Sequence, residues 1–71
     1  MKFRIYEVSK LNFRFRIEED LPGIGWYIYI YKDDILLYDY LQDTLEVSKN
    51  FVNDRYEIND DDWRFIGEFE V

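Results

Sequence analysis

The run Trp26-Tyr27-Ile28-Tyr29-Ile30-Tyr31 alternates two kinds of side chain with period two, and a helix would scatter both kinds around its whole circumference. A strand sorts them: Trp26, Ile28 and Ile30 go to one side, and Tyr27, Tyr29 and Tyr31 to the other. The aliphatic side belongs against a core. The tyrosines therefore line a second face that must meet water, a partner or another copy. The same period recurs in KFRIYEV (residues 2–8) and FRFRIEE (residues 13–19), where apolar and charged residues alternate.

These strands pair as two hairpins. A three-residue loop in the first would set Phe3 opposite Ile17 and Ile5 opposite Phe15, collecting the apolar residues and leaving Lys2, Arg4, Tyr6, Arg14 and Arg16 together on the opposite side. In the second, the turn at Lys32, Asp33 and Asp34 with an even loop sets Tyr31 opposite Leu36, Tyr29 opposite Tyr38 and Tyr27 opposite Tyr40. An odd loop or a bulge would break that order. Leu21-Pro22-Gly23 separates the hairpins.

From Asp43 the period changes. Asp43 and Glu46 have the spacing of a capping box, and Leu45, Ser48, Val52 and Tyr56, flanked by Val47 and Phe51, form one stripe opposite Glu46, Lys49, Asn50, Asn53 and Asp54. A helix of about three turns is expected, laid on the Trp26, Ile28, Ile30 and Leu37 face. A polar loop then ends on Trp63, and residues 64–71 alternate again as a last strand. The expected fold is α+β: a single antiparallel sheet of four to five strands with one amphipathic helix on one face, in the order ββββαβ. It makes one small domain over residues 1–71.

A core this small lacks the usual staples, because the chain has no cysteine and no histidine; a 21% aromatic content supplies bulk instead. The same two absences remove thiolates, imidazole bases and the common transition-metal ligands. Ser9, Thr44 and Ser48 are the aliphatic hydroxyls, and none has a recognisable base nearby. Asp33/Asp34 and residues 60–62 read as solvated turns, and the aspartate-rich loop lacks the glycine and distal glutamate of an EF-hand. Gly23 and Gly25 precede a strand with no following lysine, which does not fit a phosphate loop. A non-catalytic protein with no cofactor and no metal is expected. No apolar run approaches the ~20 residues of a membrane span, and residues 1–8 lack the core of a signal peptide, so the expected location is cytoplasmic.

The net charge of −7 is unevenly placed. Residues 1–17 hold five bases against one acid, a net of +4, and residues 18–71 hold four bases against fifteen acids, a net of −11. Such a balance disfavours nucleic acid and anionic membrane and favours a basic protein partner. The candidate partner-binding residues are Tyr27, Tyr29, Tyr31, Tyr38 and Tyr40 with Arg14 and Arg16, together with the acids Asp54, Glu57, Asp60, Asp61 and Asp62. Two alternatives use the same tyrosine face: self-association as a structural module, and stacking of single-stranded nucleic acid beside the arginines.

The order GWYIYIY, hairpin, YDYLQDTLEVSKNF and DDDW, over residues 25–63, resembles small acidic bacterial proteins, some of which act as immunity proteins beside polymorphic toxins. The resemblance is one of layout. It implies a short inhibitor that occludes a basic toxin, often a nuclease, with no inhibitory residue to carry over.

Overall fold

The computed structural model describes residues 2–70, so Val71 of the expected last strand lies outside them. Strands β1 (Lys2–Lys10), β2 (Phe13–Glu19), β3 (Trp26–Lys32) and β4 (Ile35–Gln42) precede helix α1 (Leu45–Tyr56), a 3-10 turn (Asp60–Asp62) and β5 (Arg64–Glu70). They form one antiparallel five-stranded sheet in the order β4-β3-β2-β1-β5, with α1 crossing one face over β2, β3 and β4. This is the α+β arrangement expected from the order ββββαβ.

The helix face carries the core. Val8, Phe15, Ile17, Trp26, Ile28 and Ile30 form one buried cluster with Val52 of α1 and with Ile58 and Trp63 beyond it. Full burial of each such side chain is worth about 1.5–3 kcal/mol, which is how so short a chain offsets its ordering entropy. Ser48 is also fully buried, and its Oγ donates to the Thr44 carbonyl at 2.9 Å, so this buried hydroxyl is paired.

The first hairpin departs from the expected register. Its turn is the two-residue Leu11-Asn12, and the strands pair as Lys10 with Phe13, Val8 with Phe15 and Tyr6 with Ile17. Lys2, Arg4 and Tyr6 therefore share the helix side, away from Arg14 and Arg16. Phe3 and Ile5 are buried on the other face, flanked by their neighbours on β5: Phe3 lies opposite Phe69 at 5.6 Å between ring centroids, and Ile5 opposite Gly67. A strand at the sheet interior can bury apolar residues on both faces, and the alternation within residues 2–8 does not reveal which neighbour will do so.

The helix starts one residue later than the spacing implied. Thr44, with extended backbone, is the cap, and its Oγ1 accepts from the Val47 N–H at 3.1 Å. At the other end Glu57 adopts the left-handed conformation, and the Lys10 ammonium donates to the carbonyls of Tyr56 and Glu57, both at 3.0 Å. That contact neutralises the negative end of the helix dipole and ties the first hairpin to α1. Gly25 is obligatory in its place, since with φ of 121° an added Cβ would collide with the Gln42 carbonyl oxygen.

Candidate functional site: the open sheet face and the β4 edge

Cross-strand pairing sets the open face in rows. Ile5, Glu18, Tyr27 and Leu41 make one; Glu7, Arg16, Tyr29 and Asp39 the next; Ser9, Arg14, Tyr31 and Leu36 the last. Tyr27 and Tyr29 stack at 6.1 Å, and the Arg14 guanidinium lies over the Tyr31 ring at 4.1 Å. Both arginines are engaged by acids of the same face. Arg14 meets Glu7 at 3.3 Å, and Arg16 meets Glu18 at 2.7 Å and Glu7 at 3.5 Å. Partial burial first, then the neighbouring charge of Glu18, raises the Tyr29 hydroxyl pKa above its ordinary value. The face is thus half-buried, aromatic and close to neutral, and not the basic platform expected. The proximity of Glu7 to Arg14 and Arg16 depends on the turn length, whereas Glu18 lies two residues from Arg16 on the same side of β2, a pairing that the period of the strand already contains.

Tyr38 and Tyr40 are not on this face. The second hairpin has the two-residue turn Asp33-Asp34, both residues with positive φ, and Tyr31 does lie opposite Leu36. Leu37 is then an extra residue in β4, so Ile30 pairs with Tyr38, Tyr29 with Asp39 and Ile28 with Tyr40. The expected pairs Tyr29 with Tyr38 and Tyr27 with Tyr40 are replaced for a physical reason. Without the bulge, Asp39 would face Ile28 on the helix side, in the partly covered place beside Phe51 that Tyr40 takes, where a carboxylate loses part of its hydration with no cation to replace it. With it, Asp39 joins the open face, and Tyr40 packs on Phe51 of α1 at 4.7 Å while stacking on Tyr38 at 6.0 Å.

β4 also ends the sheet, and its outer edge has no strand partner among the described residues. All seven of its residues from Ile35 to Leu41 are exposed, and six of them are apolar or aromatic: Ile35 66%, Leu36 48%, Leu37 45%, Tyr38 50%, Tyr40 37% and Leu41 49%. That apolar edge was not singled out by the alternation, which describes faces and is silent on edges.

The candidate acids lie on the helix layer, across the sheet from Tyr27, Tyr29 and Tyr31. Asp54 is exposed on α1 and Glu57 terminates it. The Asp60 carboxylate accepts from the Asn53 side chain at 3.4 Å, and Asn53 Oδ1 accepts from the buried Trp63 indole at 2.8 Å. Asp62 accepts from the Asn59 N–H at 3.2 Å, and Asp61 is exposed beside it. Among the described residues no three acids converge in a way that would hold a metal ion. A depression of about 540 Å³ lies at the β1–β5 side, lined by Glu7, Val8, Ser9, Asp62, Arg64 and Ile66.

No family model matches this chain, and neither do any curated proteins or solved structures. Among the described residues no helix is long and apolar enough to cross a membrane.

Proposed function

We propose that this chain is a non-catalytic protein-binding module, of the immunity or inhibitor type, that occludes a basic protein partner. The observation that carries the reading is β4, seven consecutive exposed residues of which only Asp39 is charged, on a chain whose overall charged content is 35%. Charge depletion with aromatic enrichment is the composition of an interface core. The surrounding acids supply the other half: the excess of negative charge on residues 18–71 raises the encounter rate with a basic protein, and desolvated contacts at β4 slow its departure.

Stacking of single-stranded nucleic acid is less well supported, since Arg14 and Arg16 are paired with Glu7 and Glu18 and phosphate neutralisation needs free cations. Capture of partners by the tagged full-length chain from its source cell, followed by mass determination, tests the proposal. A one-to-one complex with a protein of high isoelectric point, released as salt rises past about 0.5 M, is the expected result. A chain that stays alone, or whose mass doubles with concentration, overturns it.

A further inference from the structure

We infer that the outer edge of β4 is a docking strand: a basic partner adds an extended segment beside residues 38–42, placing an apolar, a basic and an apolar residue opposite Tyr38, Asp39 and Tyr40. This rests on the preceding reading and states how the partner is held. Strand addition satisfies the unpaired N–H and C=O groups of an edge, and alternate side chains then set specificity on the two faces.

The two edges of the sheet differ in how they are protected. β5 carries Arg64, Glu68 and Glu70 and is bulged at Ile66, next to Gly67, all devices that discourage pairing. β4 has neither proline nor lysine, and its one bulge, at Leu37, lies toward the hairpin turn, leaving residues 38–42 regularly paired to β3. Half-exposed side chains of this size each leave on the order of 100 Å² open. The six apolar ones on β4 therefore present roughly 600 Å², near the ~800 Å² that each partner contributes to a standard interface.

Charge selects the occupant. Residues 33–48 hold five acids (Asp33, Asp34, Asp39, Asp43 and Glu46) and no base. A second copy laid on this edge would add five more acids to these, with Lys32 opposite Ile35 and Arg16 in the row of Asp39 as nearby bases and Arg16 already paired with Glu7 and Glu18, whereas a basic strand complements them. Position refines the match further. Asp39 faces the open side beside Tyr29, and Tyr38 and Tyr40 face the helix side, so the incoming base belongs on the open face and its apolar neighbours over the tyrosine pair.

The probe is a blocked peptide of alternating valine and lysine matched to β4 in length, titrated into the isotope-labelled full chain. Amide shifts concentrated at residues 38–42, with slowed hydrogen exchange there, are expected. Affinity should fall with salt and drop roughly fivefold in Asp39→Lys, and a valine–glutamate peptide should not compete. Absence of shifts at ~1 mM peptide, shifts centred on another face, or protection of the same amides by dimerisation of the chain alone would each overturn the inference. Failure to capture any basic protein removes the preceding reading as well. A captured partner whose affinity is indifferent to Asp39→Lys and to Leu41→Lys removes strand addition alone.

Discussion

Leu11 opens the β1–β2 turn with φ of 56° and is 91% exposed, so its side chain contributes little contact while its backbone occupies a region that favours glycine. Leu11→Gly should therefore stabilise the chain by about 1 kcal/mol, read as a rise in the midpoint of urea unfolding at unchanged m-value. An unchanged or lowered midpoint would show that the turn is not strained. Leu11 also illustrates how residue identity misleads. The expected register already sets Leu11 in a loop, of residues 9–11, and what is missing is the turn-forming glycine that would have marked the two-residue loop actually formed by Leu11 and Asn12. Asp39 is the opposite case: a lone carboxylate among ILLY and YL prefers the open face, but which register puts it there depends on the bulge at Leu37, which its identity alone does not place.

Among the elements, α1 is short enough for its ends to matter. With 12 residues and four orphan N–H groups at its start, it depends on Thr44, whose Oγ1 serves the Val47 N–H. Thr44→Ala should lower stability by about 1 kcal/mol, seen as a fall in thermal midpoint, whereas Asp43→Ala should change it far less. Equal losses from the two would restore Asp43 as the cap. The strands show a similar division. Existence and approximate extent of the strands are readable from periodicity, though β1 runs on to Lys10 past the expected 2–8, but the faces of β1 and β4 are not, because a turn of two residues instead of three, or one bulged residue, inverts every side chain beyond it. That inversion moved Arg4 and Tyr6, and separately Tyr38 and Tyr40, off the open face.

For the molecule as a whole, pH acts through a few groups at opposite ends of the range. The Arg4 guanidinium donates two hydrogen bonds to the Glu19 carboxylate, at 3.2 and 3.1 Å, and the Arg4 N–H adds a third at 2.9 Å, which together hold the Glu19 pKa below its ordinary 4.5. The folded pKa is depressed, so this contribution is complete above 4.5 and is lost as pH falls through the folded value. Glu19→Gln should thus be less stable than the parent at neutral pH, with the difference closing in acid below 4.5. A gap constant with pH would refute the linkage. At the alkaline end burial raises Tyr29 and Tyr56 above 10.0, and their contribution is full below 10.0 and lost as pH rises through the folded values.

Period two in three segments, one helical stripe and the absence of cysteine and histidine were enough to fix the α+β class, the order ββββαβ and the aliphatic side of β3 as core, because alternation and burial on a lone sheet are local properties of the chain. Where Arg14 and Arg16 find their partners, which way Tyr38 and Tyr40 face, and that β4 is left as an open apolar edge were settled only when all five strands were in place. Those features depend on turn length, on a bulge that keeps Asp39 in water and on β5 choosing β1 as its neighbour, all of them long-range contacts that no short window of residues contains.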